Sequence, residues 1–424
     1  MAKNRIPARR GNPSAPQMQA RLQKLAADFR TALANGDHAA GRSLAEQALA
    51  IVPGNMTVLG DYALCLMRTG AYQQAYQVYM QIHDAPAAQR QQASATWLDG
   101  LAEACGWLEK SDELRTYGKR SLTEADARFS QGHQWPLPPG KPPAFDPSRP
   151  QQNIIAYSLY GANPRYCESA VVNIQAASEL FPGWTCRIYL DDSVPQHVQQ
   201  RLQQAGAQVM PMGFGPGMPP VMWRFLVMDD PSVRHFLVRD ADSLLSEREP
   251  AAVQEWLDSG RWFHHMRDYF THTELLLAGM WGGSNGVFPP IAPLIQQYIA
   301  NYKGPARFVD QYFLREILWP TVRQSLLCHD ELFDFHDARP FPPHPPIRWN
   351  TDKFHVGSNT SYQQITGASM LADGAQQPLL LWRQGQPQAL TYSAAVRDGR
   401  WQLGLPFFLI DEFAGGTLRV EIAG

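Results

Sequence analysis

The sequence predicts an all-α helical repeat domain followed by an α/β domain with a doubly wound sheet and a small C-terminal β appendage. Three observations carry this expectation. From Gln17 to about Phe129, Leu, Ala and aromatic residues recur at three- and four-residue spacings, the pattern of amphipathic helices. Between Trp135 and Pro150, in WPLPPGKPPAFDPSRP, seven of sixteen residues are proline. Each proline removes an amide donor, so the stretch reads as a semi-rigid extended linker. Beyond it, short apolar runs alternate with helical stretches, as parallel strands with crossover helices do.

At 424 residues the chain exceeds what one core accommodates. Hydrophobic residues make up 44% and charged residues 18%, ordinary values for a globular protein and unlike those of a disordered one. A net charge of -2 gives no electrostatic case for nucleic acid as a partner. Residues 1–16 read as a disordered basic tail. The first ten include Lys3, Arg5, Arg9 and Arg10 but lack the apolar core of a signal peptide. No apolar run reaches the roughly 18–20 residues that span a bilayer, so the expected location is cytoplasmic. The five cysteines (Cys65, Cys105, Cys167, Cys186, Cys328) are scattered and never spaced as CxxC, which argues against a disulfide framework or a zinc knuckle.

The helical region, 17–130, contains an internal repeat. Gly36 and Gly70 sit in matching contexts 34 residues apart, the tetratricopeptide period. Leu59, Tyr62, Ala63, Gly70, Tyr72, Ala75 and Tyr79 fall near the expected positions of the second unit. The first keeps Gly36, Ala48 and Pro53 but has Gly41 where Ala is usual. A degenerate third unit is expected from Ala93 to Leu122. The region resembles a short tetratricopeptide array, which implies docking of an acceptor or a protein partner; an unrelated helical bundle is the alternative. The linker is placed at 131–150.

The α/β segment is placed at 151–374. Strands are expected at Asn153–Leu159, Thr185–Leu190, Gln208–Met212 and Arg234–Val238, with helices at Tyr166–Leu180, Pro195–Ala205 and Met222–Met228. Ligands of doubly wound sheets bind beyond the carboxyl ends of the strands. Three polar clusters fall there: Tyr157–Tyr160, Asp191–Asp192 and Arg239–Asp242. The remaining residues, 375–424, read as short strands with turns and form the β appendage.

Asp240-Ala241-Asp242 follows the apolar run FLV with only Arg239 between them. In an extended segment alternate side chains project the same way, so the two carboxylates face together. They repel unless a cation or a proton lies between them. Mg2+ or Mn2+ takes one or two carboxylates plus substrate phosphates and neutralises a departing diphosphate. Arg224 is the candidate for the phosphates, because a guanidinium grips them bidentately. Arg239 should alternate to the opposite face and pair with Glu247 or Glu249. The cluster His264, His265, Asp268 and His272 lacks the HExxH spacing of a zinc site.

The ordered set YSLYG…YCESAVVN…PGWTCRIYLDD…MWRFLV…HFLVRDADSLLSERE…LLLAGMWGG…FVDQYFL…KFHVGS resembles the GT-A glycosyltransferase superfamily, nearest in style to the glycogenin and lipopolysaccharide-galactosyltransferase relatives. It covers about 210 residues, from Asn153 to Tyr362. The resemblance implies a GT-A-like fold and a nucleotide-sugar donor, with a UDP-sugar favoured. Tyr157, Ser158 and Tyr160 would border the base, and Asp191 or Asp192 would contact the base or ribose. Asp240 and Asp242 would hold the metal, with His355 as third ligand and His329, beside Asp330, as its rival. The AGMWGG stretch, with Gly279, Trp281 and Gly282, would face the acceptor. Asp310 and Gln311 resemble a DQ pair close to the transferred sugar.

Structural roles compete for the same residues. Tyr157 and Tyr160 also read as core aromatics, Asp191 as a turn former, Trp281 as a packed ring, Asp310 as a helix cap and His355 as an ordinary satisfied histidine. An inverting reaction would need a base, for which Asp310 and Asp268 are the candidates; the resemblance leans toward retention. The expected function is metal-dependent transfer of a sugar, hexosyl in type, to a protein or glycan acceptor. The alternatives are a non-catalytic repeat adaptor with a degenerate transferase fold and, disfavoured by the lack of a basic Gly-rich loop, nucleotidyl transfer. A P-loop is absent.

Overall fold

The computed structural model describes residues 14–213, 217–349, 351 and 354–423. The expected basic tail lies outside them except for its last three residues, of which Ala15 and Pro16 already open a helix. The chain divides into two units, 1–123 and 124–424.

The N-terminal unit is a set of helical hairpins. They are α1 (Ala15–Ala34) with α2 (His38–Ile51), α3 (Met56–Arg68) with α4 (Tyr72–Asp84), and, after the single turn α5 (Ala87–Arg90), α6 (Trp97–Trp107) with α7 (Ser111–Phe129). The division between units falls within α7. Asp37 and Asn55 cap α2 and α3 by accepting the amides of Ala40 (2.9 Å) and Val58 (3.1 Å). Each hairpin turns on a residue with left-handed backbone: Gly36 (φ 72°), Gly70 (φ 76°) and, in the third, Glu109 (φ 57°). Gly41 replaces the usual Ala because a Cβ there would lie 2.9 Å from Cys65 Sγ. Gly100 similarly leaves room for the Tyr79 hydroxyl, so α6 approaches α4 closely.

Glu109 carries a steric cost of about 1–2 kcal/mol that glycine would not. Glu109→Gly, which loses backbone entropy in exchange, is expected to stabilise the chain by roughly 0.5–1 kcal/mol. Chemical denaturation of the two proteins checks this, and an unchanged or lower midpoint counts against it.

The C-terminal unit is built on a seven-stranded sheet. Its strands and helices are β1 (Asn153–Leu159), α8 (Pro164–Leu180), β2 (Thr185–Leu190), α9 (Gln196–Gln204), β3 (Gln208–Pro211), β4 (His235–Val238), α10 (Arg248–Ser259), β5 (Phe263–Arg267), β6 (Trp281–Ser284), α11 (Ile291–Asn301), α12 (Val309–Phe313), α13 (Trp319–Val322) and β7 (Leu326–Asp330). The order is β3-β2-β1-β4-β6-β5-β7. The expected parallel arrangement holds at β1–β2, β2–β3 and β1–β4, and β5, not expected as a strand, pairs in parallel with β7, but β6 runs antiparallel to both β4 and β5. Its sequence, Trp-Gly-Gly-Ser, suits that crowded position. A Cβ on Gly282 would meet the Phe236 carbonyl oxygen, and one on Gly283 would meet the rings of Phe263 and Phe236. The stretch expected as a helix around Met222–Met228 is a 3-10 segment, Pro220–Asp229.

Alternation along β1 sorts its two faces. Ile155, Tyr157 and Leu159 enter a core shared with Cys167 and Val171 of α8 and with Val198 and Leu202 of α9. Ser158, on the other face, bonds the 3-10 segment. Helical layers therefore cover both sides, as a doubly wound sheet requires.

A second, antiparallel sheet has the order β12-β9-β10-β11-β8. It comprises β8 (Tyr362–Ala368), β9 (Gln376–Arg383), β10 (Leu390–Arg397), β11 (Arg400–Pro406) and β12 (Leu418–Ile422), with α14 (Phe407–Ala414) between the last two strands. β8 joins this sheet although it precedes the boundary at 375 expected from sequence texture. The sheet's inner face, including Leu379, Leu381, Val396 and Leu405, belongs to the α8 core. The Tyr392 hydroxyl donates to buried Glu168 (2.5 Å), which also accepts both guanidinium nitrogens of Arg201 (2.7 and 2.9 Å). The appendage is thus fastened to α8.

Candidate active site

In the sheet the chain moves outward from β1 through β2 to β3, then returns to place β4 on β1's other side. The strand order reverses between β1 and β4, and crevices at such switch points are where open α/β sheets take ligands. A cavity of about 260 Å³ lies at this point. The end of β1 (Ser158, Tyr160), Tyr166 of α8, Arg224 of the 3-10 segment and the Asp240–Asp242 run line it.

Two arginines grip the two aspartates. Asp242 accepts Arg165 Nη2 at 2.6 Å. Arg224, only 2% exposed, donates through Nη1 to Asp240 and through Nη2 to Asp310 (2.8 Å). Burial works to discharge Arg224, but Asp240 and Asp310 outweigh it and hold its pKa above the ordinary value. Burial pushes Asp242 upward and Asp240 adds to the effect, while Arg165 opposes it. Asp310 is raised chiefly by its own burial, against the pull of Arg224. The constellation is a chain of alternating charge, with the Asp240 carboxylate 40% exposed toward the cavity.

Sequence reading missed Arg165. Asn163 caps α8 by accepting the Arg165 amide (3.0 Å), and Pro164 occupies the first helical position. Arg165 therefore stands in the first turn of a 17-residue helix, at the carboxyl end of β1. The signal was present in NPRY: an N-cap, a proline and an arginine directly after a strand.

Other expected site residues take different places. Tyr157 is fully buried on the α8 side of β1, so it does not border the cavity. Ser158 lines it, but its hydroxyl accepts the Arg224 amide (3.0 Å) and donates to the Val221 carbonyl (3.4 Å). Tyr160 is 46% exposed at the rim. Asp191 forms its own turn by accepting the Ser193 amide (3.1 Å) and hydroxyl, and neither it nor exposed Asp192 lines the cavity.

Trp281 is entirely buried, edge-on to Phe225 and Phe236, and so presents no face to an acceptor. Gly282 serves sheet packing. Gly279 does lie at the site, because a Cβ there would overlap the Asp240 carboxylate. Gln311 spends its amide on the loop before β6, donating to the Leu276 carbonyl and accepting the Ala278 amide (3.0 Å). It positions Gly279 rather than touching the cavity. Asp268 is sealed away from solvent by Arg248 (2.9 Å) and the Val356 amide (2.9 Å), with burial pushing it up to about 7, so it faces no substrate.

Neither histidine joins the aspartate pair. The His355 ring lies flat on Tyr269, with centroids 3.7 Å apart. His329 is buried in β7 between His264 (2.8 Å) and Glu255 (3.2 Å). Among the described residues no three His, Cys, Asp or Glu side chains converge as a metal cage. The donor set on offer is two hard carboxylates, which fits Mg2+ or Mn2+ completed by substrate phosphates and water. Arg239 pairs with Glu249 (2.8 Å) on the far face, as alternation requires.

Gly279→Ala forces the Asp240 carboxylate aside. If Asp240 holds a divalent cation, this should weaken binding of a cation-bridged ligand roughly 10–100-fold, the usual cost of disturbing a metal ligand's support. Calorimetric titration measures this, and unchanged affinity would show that Asp240 is not needed where it stands.

Residues 32–96, spanning α2 to α5, match the tetratricopeptide repeat family. No curated protein matches the chain significantly. Among solved structures it is similar to an O-GlcNAc transferase mutant from Thermobaculum terrenum, with 16% identity, 53% of this chain and 47% of that one covered, and a TM-score of 0.28. It is also similar to glucosyl-3-phosphoglycerate synthase from Mycobacterium tuberculosis in complex with Mn2+, UDP and glucosyl-3-phosphoglycerate, with 12% identity, 54% and 77% covered, and a TM-score of 0.29. The Sgt2 TPR domain from Aspergillus fumigatus shares 17% identity over 26% of this chain and 67% of that one, at 0.22. The chain thus spans about half the length of the O-GlcNAc transferase. At such TM-scores the overlap is partial and says nothing about the site. No helix among the described residues is long and apolar enough to cross a membrane.

Proposed function

We propose that the C-terminal unit transfers a sugar, hexosyl in type, from a nucleotide-sugar donor to a protein or glycan acceptor. The observation that carries this reading is the placement of the Asp240–Asp242 pair in a cavity at the β1/β4 switch point, beside two arginines. A UDP-sugar is the favoured donor and retention the favoured outcome, both on sequence resemblance. Asp240 and Asp242 would hold Mn2+ or Mg2+, which when bound neutralises the departing diphosphate. Arg165 and Arg224, freed in part from the aspartates, would turn their guanidiniums to the phosphate oxygens. Tyr160 and Tyr166 offer ring faces to the base at the rim. In the transfer, the bond between the anomeric carbon and the phosphate oxygen breaks, and the nucleoside diphosphate keeps the electron pair. The acceptor oxygen bonds to that carbon, and its proton leaves with the diphosphate or to solvent. The helical repeats would dock the acceptor or a partner, and the expected setting is the cytoplasm.

A thermal-shift panel of UDP-, GDP- and CMP-sugars, each with and without Mn2+, tests this. Stabilisation by one nucleotide class that needs the metal is the expected result. Unchanged melting across the panel would favour the adaptor, a reading the arginine-bound carboxylates would then explain.

A further inference from the structure

We propose that Arg165 is an exchangeable counter-ion: it yields the Asp242 carboxylate to a divalent cation and turns to the diphosphate, so that cation and nucleotide bind cooperatively. The diphosphate half rests on the donor reading above, whereas the exchange at Asp242 stands on the local geometry alone.

Two arginines face the aspartates, and only one is placed to move. The Arg224 side chain is 3% exposed and bonds Asp240, Asp310 (2.8 Å) and the Arg239 carbonyl (3.2 Å). Turning it out would strand the buried Asp310 carboxylate, a costly step. Arg165 makes one ion pair, from Nη2 to Asp242 at 2.6 Å, and its side chain is 16% exposed. The buried Nε–H of each arginine lacks an acceptor among the described residues. Each therefore holds a donor in reserve, but only Arg165 can spend it by turning. Arg165 also stands in the first turn of α8, where a cation opposes the helix dipole and an anion is favoured. A diphosphate supplies both the acceptors and the charge that this place lacks.

Aromatic rings line the path. The Arg165 guanidinium lies over the Tyr166 ring at 5.4 Å and over that of Tyr362 at 5.1 Å. Attraction to a ring face is less directional than a forked hydrogen bond, so these contacts survive a small turn away from the carboxylate. Tyr362 opens β8 of the second sheet and is set in place from two sides. A Cβ on Gly404 would lie 3.1 Å from its ring, and Thr360, two residues earlier, donates its amide to the Asp242 carbonyl (2.7 Å). The β appendage thereby contributes a residue to the donor site.

Mg2+ and Mn2+ take hard carboxylates, and at Asp242 they compete with the guanidinium. Once a phosphate holds Arg165 that competition ends, and by linkage each ligand strengthens the other by the same factor.

Calorimetric titration of Mn2+ alone, UDP alone and UDP at saturating Mn2+ into the full chain and into Arg165→Gln tests this. The variant is expected to bind Mn2+ roughly tenfold more tightly or better, and UDP with Mn2+ roughly tenfold more weakly or worse. UDP without Mn2+ should change by less than about threefold, because Asp242 then still holds Arg165 in the wild type. Mn2+ affinity that does not rise overturns the proposal. So does an equal loss of UDP affinity with and without Mn2+, which marks a static charge. A wild type that binds no UDP overturns the donor reading, and the Mn2+ titration still decides the exchange. Arg165→Met, which keeps an apolar stem, is titrated in parallel, so that misfolding of one variant is not read as a lost site.

Discussion

Asp242→Asn is expected to lower kcat/KM for sugar transfer on the order of 10²–10³-fold, the scale on which removing one preorganised charge contact from a transition state acts, while the protein melts within a few degrees of the wild type. The substitution keeps shape and hydrogen-bonding capacity but removes the charge. In the wild type that charge lies in a half-enclosed pocket beside Asp240, where burial and the neighbouring carboxylate already make ionisation costly. In the proposed reaction a cation shared by the two carboxylates would relieve that cost, and loss of one carboxylate would remove both a ligand and the reason for the cation to bind. Arg165 loses its charge partner but stays 16% exposed, so water compensates part of the change. A variant that transferred sugar at near wild-type rate would remove Asp242 from the machinery.

Arg224→Ala should be the most destabilising single change at the site, costing about 3–5 kcal/mol, as removal of one partner from a buried ion pair does. Arg224 is the cation between Asp240 and Asp310, and the Asp310 side chain is only 8% exposed. Without the guanidinium, the remaining carboxylate is buried beside another negative charge. The pH dependence follows from sign. Burial already raises Asp310 above its unfolded value, and loss of Arg224 raises it further. A carboxylate whose folded pKa is raised contributes its stability below the unfolded value, near 3.9, and loses it as pH rises through the folded value. The deficit of Arg224→Ala should therefore be larger at pH 8 than at pH 5. Denaturation at both values measures this, and a deficit independent of pH would mean that Asp310 is not the group left unpaired.

Much of the fold was legible because its signals are local. The strand runs at Asn153 and Thr185 have the bounds their apolar pattern predicts, and Gly36 and Gly70 mark hairpin turns because only a residue tolerant of positive φ suits them. β6 was not legible as an antiparallel strand. Four residues with two glycines carry no periodicity, and their meaning lies in the rings of Phe236 and Phe263 across the sheet. The 3-10 segment at Pro220 reads as helix by its apolar spacing, since periodicity hardly separates the two over ten residues.

The site was legible in part for the same reason. The paired aspartates at a strand end are a local pattern, and Arg224 follows from charge. Tyr157, Trp281 and Gln311 were drawn toward the site by resemblance and Asp268 by residue type, whereas their surroundings are set by partners far away in sequence: the α8 core, the rings of Phe225 and Phe236, the 276–278 loop, and Arg248. Arg165 escaped notice because its partner is 77 residues away, although its helix start was readable.

Asp240 and Asp242 are proposed to bind a nucleoside diphosphate through a divalent cation at the β1/β4 crevice. Calorimetric titration of UDP into the full chain, with and without Mn2+, and into an Asp240→Asn/Asp242→Asn double variant, tests it most directly. One site that weakens at least tenfold without Mn2+ and at least tenfold in the double variant is the predicted result. UDP binding of equal strength in the double variant, or no binding of UDP, GDP or CMP under any of these conditions, would contradict it.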